Sequence, residues 1–205
     1  MNRPTVIVTG LIGSGKSAVC ALLHERGIPV YDCDSRAKRL YDRKPSLVTH
    51  LEEILGMPLR EPGGRLDRKR LAAVIFGDPS AREKVEAVLY PEVLRDFKRW
   101  RSRQKGAPYV VLESAVILSK PVFDGIAQAV VLVEAPMEKR LRRVMERDAA
   151  TDSEVLQRMK AQSLPREKVN LVLENSGTLQ ELEHLTEQVF FDKNSYLCKI
   201  LNLEV

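Results

Sequence analysis

Short, continuous apolar runs alternate along this chain with stretches whose apolar residues recur at helical spacing. Val6, Ile7 and Val8 form the first run, and Ile28, Val30 and Tyr31 the second. Tyr109 to Leu112, Ala129 to Val133 and Leu171 to Leu173 follow. Runs that do not alternate with polar residues suit strands buried on both faces, as in a parallel sheet wrapped in helices. Between the first two runs, Val19, Cys20, Leu22 and Leu23 lie at helical spacing from Ser17 to Glu25, and Gly27 with Pro29 ends that helix. The alternation predicts an α/β fold, a parallel sheet flanked by helices.

One long stretch departs from it. From 35 to 105 strand signals give way to helices: Leu47, Leu51, Ile54 and Leu55 mark one, and Leu71, Ala72, Val74 and Ile75 another, with a turn at Gly63 and Gly64 between them. Asp78, Pro79 and Ser80 start a third, carrying Val85, Val88 and Leu89, and Pro91 is expected to begin a fourth through Val93, Leu94 and Phe97 to Trp100. A connection between strands ordinarily takes about 2 to 6 residues plus a helix, so 35–105 reads as an inserted unit with a second substrate site. The core is then 1–34 with 106–205. Near the C-terminus Pro136 opens a helix, Asp152 to Gln162 reads as a polar helix, and Leu179 to Phe190 as an amphipathic one with Thr178 as N-cap. The weakly amphipathic residues 193–205 have no evident place.

Composition narrows the function classes. Hydrophobic residues make up 44% and charged residues 30%, ordinary for a globular protein. No apolar run approaches the roughly 18 residues of a membrane span, and a strand stands where a signal peptide would lie, so no membrane association and a cytoplasmic location are expected. Cys20, Cys33 and Cys198 are far apart and odd in number, which argues for reduced thiols over a disulfide framework or zinc site. His24, His50 and His184 are isolated from one another. The net charge of +5 suggests an anionic partner. Nucleic acid is disfavoured, since Trp100, the sole tryptophan, stands among Lys98, Arg99, Arg101 and Arg103 without a stacking platform, on what reads as a solvated helix end.

The chemistry gathers behind the first strand. Gly10 to Ser17, GLIGSGKS, fits G-x-x-x-x-G-K-[ST] between a buried strand and a helix, the context a phosphate-binding loop requires. Glycines let the backbone N–H groups approach phosphate oxygens, and the helix that follows adds positive charge at its N-terminus. Lys16 would reach the β- and γ-phosphates and Ser17 would hold Mg²⁺. Asp32 and Asp34 follow the second strand, where an open α/β sheet faces its ligand crevice, and alternation along an extended segment would point both to one side. Asp34 or Ser35 capping the helix of Arg36 to Tyr41 is compatible with that role. Glu113, at the end of another strand, would support Mg²⁺ through water or else be a surface or capping carboxylate. Arg140, Arg143 and Arg147 stack on one helical face, with Glu138 placed to pair with Arg142. The stripe reads as a lid that closes on phosphates, over about 137–165, or as a solvated basic face.

Taken together these motifs resemble the dephospho-coenzyme A kinase family. The resemblance runs through TGLIGSGKS at Thr9 to Ser17, Asp32-Cys33-Asp34, FGDP at Phe76 to Pro79, LYPEV at Leu89 to Val93, the arginine run from Arg140 to Asp148, Gln162, Arg166 and Asn175 to Gly177. It reaches about Phe190. The family's P-L-L-F-E is Ala115 to Ser119 here, its His-Pro is Tyr90-Pro91, and its A-D pair before the last strand is Val169-Asn170. The resemblance implies a P-loop kinase fold with a helical acceptor-binding insertion and a lid. It implies that ATP, with Mg²⁺, phosphorylates the ribose 3′-hydroxyl of dephospho-coenzyme A. Gly13, Ser14, Gly15, Lys16, Ser17, Ala18, Arg147 and Asn175 would then bind ATP; Lys16, Asp34 and Arg143 would act in catalysis; Asp32, Asp34 and Tyr90 would meet the acceptor. A nucleoside or nucleotide kinase would share the loop, lid and helical unit, and a nucleotide-dependent binding module would share the loop; the lack of an N-K-x-D motif disfavours a GTPase-like switch. Oligomeric state is left open.

Overall fold

The strands are β1 (Thr5–Thr9), β2 (Val30–Asp32), β3 (Val110–Glu113), β4 (Ala129–Glu134) and β5 (Leu171–Glu174). They form one sheet in the order β2-β3-β1-β4-β5, and every neighbouring pair is parallel. This is a computed structural model, and it describes residues 3–149, 151–160, 162 and 164–203. The register opposes Val8 to Glu113, Asp32 to Glu113, Thr9 to Leu132 and Glu134 to Glu174. The carboxyl ends of all five strands therefore meet along one edge. Strand order reverses about β1: β2 and β3 lie to one side, β4 and β5 to the other. That reversal opens the crevice in which such sheets bind ligands.

Two units make up the chain, 1–32 with 101–205 and 33–100. In the first, Val6, Val8, Val111, Val131, Val133 and Leu173 line one sheet face. Helix α1 (Lys16–Glu25) contributes Val19, Cys20 and Leu23 to the same core, and α8 (Leu179–Phe190) contributes Leu182 and Phe190. Ile7, Leu112 and Leu132, which point the other way, are also buried. Strands β1, β3 and β4 are thus buried on both faces, and that is why they read as unbroken apolar runs. Thr178 and Glu181 form a reciprocal capping box at the start of α8. The segment without an evident place holds α9 (Tyr196–Ile200), capped by Ser195, and its Leu197 and the following Leu201 are buried in the main core. Residues 204 and 205 lie outside the described ones.

The second unit contains α2 (Cys33–Arg43), α3 (Pro45–Leu55), α4 (Arg68–Gly77) and most of α5 (Pro79–Ser102). Val48, Leu51, Leu59, Leu66, Leu71 and Val85 form its core. Arg60 and Leu66 pair across the turn that holds Gly63 and Gly64. Asp67 caps α4 by accepting from the Arg70 N–H at 2.9 Å. Pro91 does not separate two helices, as its missing N–H suggested; it lies inside the continuous α5. The cost is one hydrogen bond to the carbonyl four residues earlier, and Val85, Val93 and Phe97, buried on both sides of Pro91, offset it. Trp100 is not a solvated end: it is partly buried, 6.0 Å from Phe97 ring to ring, with the Arg36 guanidinium 6.0 Å from its centroid.

Between β4 and β5 stand α6 (Met137–Asp148) and α7 (Asp152–Lys160). Val144, Val155 and Met159 pack them together, with Ile12 of the glycine-rich loop against the same cluster. The polar helix ends at Lys160 rather than Gln162, and Ala161 is not among the described residues. No helix of the described residues is long and apolar enough to cross a membrane.

Candidate active site

The loop between β1 and α1 has a shape that favours glycine at Gly10, Gly13 and Gly15, most clearly at the last two. Gly13 has φ +77°, and a Cβ there would stand 2.5 Å from the Arg140 carbonyl oxygen. Gly15 has φ +101° and serves as N-cap of α1; its Cβ would overlap the Asn175 amide nitrogen. These are the left-handed conformations and close approaches that a phosphate cradle needs. Asn175, in the loop after β5, donates from Nδ2 to the Ser14 carbonyl at 2.8 Å, and its own N–H donates to the Glu134 carbonyl at 2.6 Å. Lys16, Ser17 and Ala18 form the first turn of α1, with the Ala18 N–H donating to the Gly15 carbonyl at 3.0 Å.

Ser17 Oγ donates to Glu113 Oε1 at 2.9 Å, joining the loop to the end of β3. Burial pushes the Glu113 carboxyl upward and the charge of Asp32 adds to this, while the Ser17 hydrogen bond and Lys16 oppose it. Cys20, one turn further along α1, has its thiol pushed well up by burial and then by Glu113. The described residues hold no group of three or more His, Cys, Asp or Glu arranged for a metal. Mg²⁺ needs no such cage: it takes one or two protein oxygens and completes its shell with phosphates and water. A hydroxyl and a partly buried carboxylate, with a second carboxylate near, are hard oxygen donors of that kind, so the residues fit the ion.

The arginine stripe divides. Arg143 reaches the loop: Nη1 donates to the Gly13 carbonyl at 3.4 Å, and Nη2 to Asn175 O and Oδ1 at 3.4 and 3.3 Å. These oxygens are neutral, so the charge meets no carboxylate among the described residues. Arg147 turns outward and is held by Asp148 at 2.8 Å. Arg140 lines a pocket of about 210 Å³, and its buried Nη1 has no hydrogen-bond partner among the described residues. One helical face therefore serves three surroundings. Arg142 pairs with Glu146 at 2.8 Å rather than with Glu138.

Asp34 is not on an extended segment with Asp32. Helix α2 begins at Cys33, immediately after β2, so alternation does not relate the two carboxylates. Asp34 stands in the first turn, where its charge favours the helix dipole, rather than as N-cap of a helix starting at Arg36. Within the same unit the Tyr90 hydroxyl is pushed strongly upward by burial, then by Glu86 and Asp34, so Asp34 and Tyr90 feel one another.

Two contacts had no counterpart in the sequence reading, although the resemblance named Gln162 and Arg166. Glu134 ends β4 and holds Arg166 through two bonds of 2.8 Å. The rule that singled out Glu113, a carboxylate at a strand's carboxyl end, applies equally to Glu134. Gln162 Oε1 accepts from the Ile12 N–H at 2.8 Å and ties the segment after α7 to the loop; spacing alone gives no sign of it.

The family model for dephospho-CoA kinase matches residues 5–181. A dephospho-CoA kinase of Thermus thermophilus is 42% identical over 192 residues, covering 92% of this chain and 91% of the relative. One of Porphyromonas gingivalis is 42% identical over 158 residues, 77% of each. A solved structure of a Thermus thermophilus protein superposes with TM-score 0.76 at 40% identity, covering 89% of this chain and 94% of the other.

Proposed function

This chain belongs to the dephospho-CoA kinase family, and on that premise we propose how its residues divide the labour. The reaction moves the terminal phosphoryl group of ATP to the ribose 3′-hydroxyl of dephospho-CoA, giving coenzyme A and ADP. Loop N–H groups from Gly13 to Ser17, with Ala18 and the α1 N-terminus behind them, hold the ATP phosphates. Lys16 neutralises charge on the group in flight. Arg143 adds to it, exchanging weak bonds to neutral carbonyls for bonds to phosphate oxygens, which are stronger because both partners are charged. Asn175 keeps the loop in shape from behind; Arg147 joins only by leaving Asp148. Ser17 and Glu113 would hold Mg²⁺, which supplies neutralisation of the β- and γ-phosphate oxygens. The acceptor oxygen forms a bond to the γ-phosphorus as the bond to the β–γ bridging oxygen breaks, and the hydroxyl proton passes to Asp34. Asp32 and Tyr90 help receive the acceptor, and unit 33–100 is its binding unit. The location is cytoplasmic, in keeping with three free buried thiols.

The observation that carries this reading is the hydrogen bond from Ser17 to Glu113 beside Lys16 and Asp32, at the edge where the strands end. A nucleoside kinase would share that edge, so acceptor profiling separates the two. Asp34→Asn keeps size and helix-dipole effect in part while removing the base. Single-turnover rates at saturating ATP and acceptor should fall by roughly 10²- to 10⁴-fold, with ATP binding retained. Asp32→Asn should instead alter Mg²⁺ dependence, and a larger chemical defect in the Asp32 variant would reverse the assignment.

A further inference from the structure

Helix α2 carries Asp34 in its first turn, yet of its 11 residues only Cys33 and Leu40 are buried. Apolar packing therefore fixes little of it, and its polar contacts are uneven. At the far end Asp42 pairs with Arg68 at 2.8 Å, both about half exposed, so solvent weakens that pair. Near Asp34 the arrangement is different. Arg36 lies between two side chains of α5: its guanidinium is 6.0 Å from the centre of the Trp100 ring, and its Nη1 is 3.9 Å from Asp96 Oδ2. Arg36 and Asp96 are 25% and 21% exposed, so their attraction is screened less than that of the outer pair. Asp96 meets Arg99 as well, at 4.0 Å. The Trp100 ring is backed by Phe97, 6.0 Å away and fully buried. A guanidinium suits this seat because it is planar, permanently charged, and able to lie over a ring while facing a carboxylate.

We infer that Arg36 is a positioning residue for the phosphoryl transfer: clasped by Trp100 and Asp96, it fixes the rotation of the first turns of α2 and thereby the direction of the Asp34 carboxylate. Successive helical residues turn by about 100°, so Asp34 and Arg36 stand on opposite sides of α2. With Arg36 held against α5, Asp34 is turned away from that contact, and it is exposed. Arg36 acts through Asp34 alone. The inference rests on the reading above in which Asp34 takes the proton of the acceptor hydroxyl.

A double-mutant cycle tests it. Single-turnover transfer from ATP to dephospho-CoA is measured at saturating substrates for the parent, Arg36→Met, Asp34→Asn and the pair, with ATP affinity and unfolding temperature alongside. Arg36→Met keeps an unbranched stem and removes charge and stacking. It should slow transfer about 10- to 10²-fold, the cost of a catalytic group held off line, with ATP affinity within about twofold of the parent. In the Asp34→Asn background the same substitution should cost less than about twofold, because the group it directs is gone. Trp100→Phe, which retains a ring face, should keep most of the rate that Trp100→Leu loses. A role in stability alone would lower the unfolding temperatures of Arg36→Met and Trp100→Leu while transfer, measured well below them, stays at the parent rate; that result overturns the proposal. So would equal losses from Arg36→Met with and without the Asp34 carboxylate. If Asp34→Asn itself transfers at the parent rate, the base assignment falls and this role with it; a slow Asp34→Asn beside an unimpaired Arg36→Met removes the role and leaves the base in place. Should Arg36→Met fail to fold, Asp96→Asn, which keeps its size and loses only its charge, goes through the same cycle with the same expected pattern.

Discussion

At Glu113 two demands on one residue conflict. Its position beside Ser17 suits an ionised carboxylate that supports Mg²⁺, yet burial favours the protonated acid. The folded-state pKa therefore lies above the ordinary 4.5. Between those two values the unfolded chain is ionised and the folded one is not, so stability falls as pH rises through the window and is not lost again below it. Glu113→Gln keeps an acceptor for Ser17 and carries no charge. Without metal or nucleotide it should be more stable than the parent at pH 7, with the gap closing as pH falls toward 4.5. Urea unfolding across that range checks this, and a gap that widens on acidification would show that the carboxylate is stabilised as an anion. The phosphate loop and Glu113 were legible in the sequence because their chemistry is local: a fixed spacing in one case, a strand end in the other. The relation of Asp34 to Asp32 was not: alternation along one strand does not hold, since a helix starting directly after β2 leaves no mark in the apolar pattern.

For whole elements the informative case is α6. Periodicity correctly places Arg140, Arg143 and Arg147 along one face, but a face says nothing about what lies opposite each turn. Val144 packs into the cluster with Ile12, so Arg143 is carried to the loop, while Arg147 extends past it to Asp148. Their contributions should differ accordingly. Arg143→Ala is expected to lower turnover at subsaturating ATP by on the order of 10- to 10²-fold, and Arg147→Ala to leave it within about twofold. Steady-state rates for the pair decide the point, and equal losses would restore the stripe as a single lid face. Helix α5 teaches the same lesson: Pro91 signals a break by local rules, yet burial on both sides keeps the helix whole. Thr178, by contrast, caps α8 as expected, and the structure adds Glu181 as the other half of a capping box that is complete within its own four residues.

In the whole molecule, β1, β3 and β4 were readable because their burial on both faces writes itself into composition, and the edge strands β2 and β5 because their runs stay apolar although partly exposed. The C-terminal helix α9 was not, because five residues are too few for periodicity and its stability comes from the core it joins. Leu197 is fully buried there. Leu197→Ala should cost about 2–5 kcal/mol, a shift of several degrees in unfolding temperature; a shift near zero would mark α9 as an ornament. The division at Cys33 and Trp100 leaves phosphate-binding residues in one unit and Asp34 with Tyr90 in the other, in keeping with a kinase that handles donor and acceptor on separate parts of the chain. The most direct test of the account is to mix the purified protein with ATP, Mg²⁺ and dephospho-CoA and follow coenzyme A by mass spectrometry over single turnovers. The parent should convert dephospho-CoA to coenzyme A with equal formation of ADP, and folded Lys16→Ala should be slower by on the order of 10²-fold or more. ADP formed without coenzyme A, or undiminished transfer by Lys16→Ala, would contradict it.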